Sequence, residues 1–212
     1  MNTEKAELFT PAPEWSGRSD GPGPEHARWH SVINQSTESP APVTLLGFAS
    51  DEGVLRNGGR QGAAAGPAAL RSALGSLAVH HEHALADAGT ITTQADDLDG
   101  SHDALSDKVQ ELVEAGTLPI ILGGGHETAF GSHRGLYRAV GATKIINLDA
   151  HFDLRRANQA TSGTPFKQIS ELTDDFDYTV LGISRPNNTA VLFDEAESLN
   201  VAITLDEELV NL

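Results

Sequence analysis

From Val43 onward, short apolar runs alternate with segments of helical periodicity, and few folds accommodate that alternation. Residues 43–48, 118–122, 144–148, 178–183 and 201–205 read as strands, and 84–88 as a weaker one. Between them, 66–77 reads as a helix with Pro67 in its first turn, where the missing N–H is tolerated. Residues 101–115 place Leu105, Val109, Leu112 and Val113 on one helical face, and 129–140 and 189–198 complete the helices. Strands that alternate with helices imply an α/β fold with a parallel sheet. Residues 1–42 are rich in Pro, Gly, Ser and charge, so the organisation expected is an arm over 1–42, with one short helix near 25–34, and an α/β domain over 43–212.

Composition narrows the class of partner. The chain carries a net charge of −16, which repels nucleic acid and anionic membranes at long range. It contains no cysteine, which excludes disulfides and thiolate zinc sites and fits a reducing cytoplasm. No apolar run reaches the ~18 residues of a membrane helix, and the first residues lack the apolar core of a signal peptide. Aromatic residues are only 5%, so aliphatic side chains must build most of the core.

Two strands run directly into metal-ligand motifs. Leu122-Gly123-Gly124-Gly125-His126-Glu127 follows one, and Asn147-Leu148-Asp149-Ala150-His151-Phe152-Asp153 the next. In parallel α/β sheets ligands bind beyond the carboxyl ends of the strands, which is where both motifs lie. His126, Asp149, His151 and Asp153 offer two imidazoles and two carboxylates, a donor set for a hard-to-borderline divalent metal. A full strand would hold Asp149 and Asp153 roughly 13 Å apart, so the chain must bend soon after Asp149 for both to serve one site. The glycines give the first loop close backbone approach rather than a nucleotide fingerprint, because Thr128 stands where a third Gly belongs. His80-His81-Glu82-His83 reads as an exposed helix end or turn, and Asp96-Asp97-Leu98-Asp99 as a solvated turn.

On these residues the chain resembles the arginase/agmatinase family of manganese ureohydrolases. Gly124-Gly125-His126 and Asp149-Ala150-His151-Phe152-Asp153 carry the resemblance, with Asn57-Gly58-Gly59-Arg60-Gln61-Gly62 and Ser162-Gly163-Thr164-Pro165-Phe166. Within the family it looks most like members of the formimidoylglutamase type, which have Gly-Gly-Gly-His-Glu and Asp-Leu-Arg. Those members also have an arm similar to Trp15-Ser16-Gly17-Arg18 with Arg28-Trp29-His30, so the arm is expected to be partly ordered. Ser162 and Phe166 stand where agmatinases and arginases carry His. The resemblance implies hydrolysis of N-formimidoyl-L-glutamate to L-glutamate and formamide, a step of histidine breakdown, by water activated between two Mn2+ ions. Asp149 would bridge the ions, His126 and Asp153 would hold one, and His151 the other. No side chain beyond these is expected to be catalytic. Arg155 and Arg156 are candidates for the substrate carboxylates, and a homo-oligomer is expected.

The resemblance also implies a three-layer α/β/α fold with eight parallel strands in the order 2-1-3-8-7-4-5-6, of which the chain shows the first six. The family's third signature, Ser-x-Asp-x-Asp, does not occur in the 212 residues. The expectation is therefore a C-terminally truncated member that lacks its two central strands and is impaired or inactive alone. The alternatives are a non-catalytic fragment and a hydrolase of agmatine or guanidinobutyrate.

Overall fold

The structure, a computed structural model, describes residues 8–35, 41–80 and 84–209. The histidine-rich run at 80–83 falls largely outside the described residues. Strands β2 (Val43–Ala49), β3 (Leu85–Thr92) and β4 (Leu118–Leu122) pair in parallel, and β1 (Phe9–Thr10) joins β3 antiparallel, giving the order β1-β3-β2-β4. A second sheet holds β5 (Ile145–Leu148), β6 (Tyr178–Ile183) and β7 (Ala202–Leu205), all parallel, in that order. The helices are α1 (Trp29–Val32), α2 (Glu52–Arg56), α3 (Gly66–Gly75), α4 (Leu98–Glu114), α5 (Thr128–Val140), α6 (Pro165–Ser170), α7 (Ala190–Ser198) and α8 (Asp206–Leu209).

Strand β2 is buried on both faces, as a central parallel strand should be. On one face Leu46 and Phe48 join Ala88 and Ile91 of β3 against Leu98, Leu105 and Val109 of α4. On the other, Leu45 and Leu122 pack under Trp15, Trp29 and Leu74. Helices and arm thus sandwich the sheet. The arm is anchored by a satisfied polar network. Trp15 donates its indole N–H to Asp87 Oδ2 at 2.8 Å, and buried Asp87 also pairs with Arg71, whose Nε and Nη2 lie 2.7 and 2.8 Å from its two oxygens. The single arm helix expected over 25–34 is instead a 3-10 turn at Pro24–His26 and a separate α1, because Ala27 and Arg28 between them are extended. Helix α4 begins at Leu98, earlier than the expected residue 101, because Asp97 caps it by accepting the Gly100 N–H at 2.9 Å. Part of the expected solvated turn at 96–99 is therefore a helix start.

The two sheets meet at unpaired edges. Among the described residues β4 pairs only with β2, and β5 only with β6. Between those edges lies a cavity of about 390 Å3, lined by Leu118, Ile121, Ile145, Ile146, His133 and Phe166 among others. This is the arrangement the family resemblance implies, with the third and fourth strands of the main series facing one another unpaired. The consequence is apolar surface in water. Leu118 is 62% exposed, Ile146 70% and Leu148 78%. Open apolar strand edges invite pairing between chains. We expect a chain with Ile146→Lys and Leu148→Lys to self-associate less in sedimentation velocity. Its unfolding free energy should stay within about 0.5 kcal/mol, since both side chains are already solvated.

Candidate metal centre

The first site loop leaves β4 at Leu122 and runs against the end of β2. Gly124 donates to the Phe48 carbonyl at 3.0 Å and Gly125 to the Ser50 carbonyl at 2.9 Å. A Cβ on Gly124 would lie 2.7 Å from the Phe48 carbonyl oxygen and closer still to that of Ser50, so close backbone approach requires glycine there. The loop ends in His126 at the start of α5. The second loop leaves β5 at Leu148 and turns within five residues, with Asp153 in the left-handed region at φ 48°. That turn supplies the bend that the Asp149–Asp153 spacing demands. Buried Asn188 holds it, accepting from the Phe152 N–H at 3.1 Å and donating to the Ala150 carbonyl at 2.8 Å.

These loops bring three of the four candidate ligands into one compact group. The donor atoms of His126, Asp149 and Asp153 all lie within 4.8 Å of one another. His126 Nδ1 is 2.6 Å from Asp153 Oδ2 and 3.2 Å from Asp149 Oδ2. His151 stands beside the group rather than in it, 53% exposed, with Nδ1 3.2 Å from the other Asp149 oxygen, Oδ1. Asp149 therefore faces His126 with one oxygen and His151 with the other. This donor chemistry, at this spacing, fits a divalent cation. Burial pulls the His126 pKa down, but hydrogen bonds and attraction from Asp149 and Asp153 outweigh it and raise the pKa to about 9. Burial raises Asp149, and the bonds from His126 and the His151 backbone outweigh that, leaving it at about 2. An imidazolium thus sits between two carboxylates, where a metal ion would supply the positive charge.

The group opens into a polar cavity of about 320 Å3. Arg155, Asn57, Ser162 and Asn187 line it with the metal-site residues. Arg155 Nη1 lies 3.4 Å from Asn57 Oδ1, a long contact, and among the described residues no carboxylate stands at salt-bridge distance from Arg155. Arg156 does not reach this cavity. Its guanidinium grips Glu195, with contacts of 2.9 to 3.1 Å, so of the two candidate arginines Arg155 is the one that lines the metal-site cavity. Phe166 is buried and meets the His126 ring edge-on at 5.5 Å.

Sequence reasoning gave no role to the residues that brace the loops. His102, buried and stacked on Phe48, has Nε2 2.9 Å from the Glu127 carbonyl; a carbonyl only accepts, so Nε2 carries the proton. Among the described residues its Nδ1 has no partner, and burial lowers its pKa to about 4. Glu127 is itself 1% exposed, and burial raises its pKa.

The arginase family's model matches residues 41–211, and the chain belongs to that family. It is 52% identical to the formimidoylglutamase of Corynebacterium efficiens over 92% of this chain and 63% of that protein. It is 45% identical to that of Rhodococcus opacus over 95% of this chain and 66% of that one. Its fold is similar to a manganese-containing crystal structure of Trypanosoma cruzi formiminoglutamase, with a TM-score of 0.80 and 29% identity over 87% of this chain and 66% of that one. The chain thus spans about two thirds of the length of these relatives.

His102 makes stability depend on pH in a defined direction. The folded chain keeps it neutral down to about pH 4, whereas an unfolded His takes up a proton below 6.5. Stability from this group is full above pH 6.5 and is lost as pH falls toward 4. Denaturant titrations at pH 7 and pH 5 should show the unaltered chain losing about 2 kcal/mol more than a His102→Gln chain. Parallel losses would contradict this assignment.

Proposed function

We propose that the chain carries the metal centre of a hydrolase of the formimidoylglutamase type. Such an enzyme cleaves N-formimidoyl-L-glutamate to L-glutamate and formamide, a reaction of histidine degradation. The observation that carries this reading is the His126–Asp149–Asp153 group opening into the same cavity as Arg155. The high identity to formimidoylglutamases supports it.

In this reading His126 and Asp153 would hold one Mn2+ and His151 a second, with Asp149 serving both. A pair of divalent ions would lower the pKa of a shared water and polarise the electrophilic carbon. The chain's own residues orient the substrate. Arg155 presents a guanidinium suited to two-pronged binding of a carboxylate, and glutamate offers two. Asn57, Ser162 and Asn187 add neutral polar groups around it. Phe166 places a hydrocarbon ring beside His126, a side chain that cannot itself exchange a proton. A cationic substrate such as agmatine would meet Arg155 as a like charge.

A second reading keeps the metal and omits turnover. The compact group offers one imidazole and two carboxylates among the described residues, and the unpaired edges of β4 and β5 flank it. Metal stoichiometry separates the two: two tightly bound Mn2+ ions support hydrolysis, while one weak ion supports a non-catalytic chain. Where formamide is released, Asp149→Asn should abolish it. Arg155→Ala should raise KM at least tenfold, and Arg156→Ala should leave KM within about threefold, since a charged hydrogen-bond pair contributes about 1.5–3 kcal/mol. Faster cleavage of agmatine or guanidinobutyrate would overturn the substrate assignment.

A further inference from the structure

Glu127 follows His126 directly and takes no part in the chemistry above. Its side chain is buried and does not line the cavity. Oε1 accepts from the Gly53 N–H at 3.0 Å and from the Ser50 hydroxyl at 3.1 Å, while Oε2 has no partner among the described residues. Glycine makes the room for it: a Cβ on Gly53 would lie 2.6 Å from the Glu127 carboxyl carbon, and one on Gly125 would collide with Oε2. A buried oxygen without a partner is destabilising, so folding stability alone does not account for an acid here.

What the carboxylate holds is the wall of the cavity. Gly53 lies in α2, which carries Val54 and leads to Asn57, both cavity-lining. The Gly53 carbonyl in turn accepts the Ser162 N–H at 3.0 Å, and Ser162 lines the same cavity. The loops at 123–127, 50–57 and 160–164 are therefore linked through one residue, Gly53, and Glu127 is the side chain that ties the first to the second. His102 fixes the other end of the residue through the Glu127 carbonyl.

We propose that Glu127 is a positioning residue. By clamping the His126 loop to Gly53 and Ser50, it sets the metal-binding imidazole and the Asn57–Ser162 wall as one unit. The proposal rests on the metal reading above for its consequence, and on geometry for the clamp itself. Residues that orient a metal ligand typically change affinity 10- to 100-fold when removed.

The test uses the purified chain with Glu127→Ala and Glu127→Gln. Amide hydrogen exchange at Gly53 and Ser162 is measured without metal, and Mn2+ affinity by calorimetry. In the Ala variant both amides should exchange at least tenfold faster, and the Mn2+ dissociation constant should rise tenfold or more. The Gln variant keeps an Oε1 acceptor and should stay within threefold on both readouts. Faster exchange with unchanged Mn2+ affinity would reduce Glu127 to a structural role and overturn the proposal. A Gln variant as weak as the Ala variant would show that charge, not the clamp, matters, and would also overturn it. If the unaltered chain binds no Mn2+, the metal reading fails, and the exchange rates still decide the clamp. Should the Ala variant not fold, Ser50→Ala removes one of the two donors, and unchanged affinity and exchange in it would count against the clamp.

Discussion

The candidate site depends on one junction. His126 is carried by the sheet of β2–β4, whereas Asp149 and Asp153 are carried by the sheet of β5–β7. No backbone ladder joins the two sheets among the described residues, so helices and loops must hold the halves in register. Ala129 and Phe130 of α5, which begin directly after the first site loop, pack into the core under the second sheet. Arg56 reaches across to the Ala160 carbonyl at 3.2 Å, and the Gly53 carbonyl takes the Ser162 N–H. The imidazole between the two carboxylates is the polar centre of that junction.

This dependence explains why the loops are braced so thoroughly. A metal group tolerates only small errors in donor position. Each loop here has a buried polar residue that does no chemistry. Asn188 spans the second loop through the Phe152 N–H and the Ala150 carbonyl. Glu127 ties the first loop to Gly53 and Ser50. Both lie outside regular ladders, where backbone groups would otherwise need water. The arm is similarly fastened at Asp87, whose oxygens accept from Trp15, Arg71 and Gly89, leaving that buried charge fully partnered.

Strands 118–122 and 178–183 were legible to the residue, because their apolar runs end at turn-forming neighbours. Helices α2 and α6 were not, since five or six residues span too little of the helical period to show a face. Composition could not show how the arm is anchored, because Trp15 meets Asp87, a contact 72 residues away. At the site, spacing and strand-end position singled out His126, Asp149 and Asp153, which the structure gathers. Nothing local separates Arg155 from Arg156. Glu195, 39 positions further on, takes one guanidinium and leaves its neighbour to the cavity. Glu127 was visible as a letter in a motif, but its burial depends on glycines at 53 and 125 that leave space for it.

The open edges and the metal group belong to one balance. Side chains such as Leu148 expose apolar surface beside the very loop that carries Asp149, and each exposed edge removes backbone bonds that would fix the halves together. A cation held by His126 from one half and by Asp149 and Asp153 from the other would bind only when the halves are docked. It would therefore stabilise the docked form by mass action, by about 2.7 kcal/mol at a hundred times its dissociation constant. Without it, the imidazolium supplies a single positive charge, and only while His126 stays protonated. A metal held there would thus be a tie across the junction, placed where the backbone offers none.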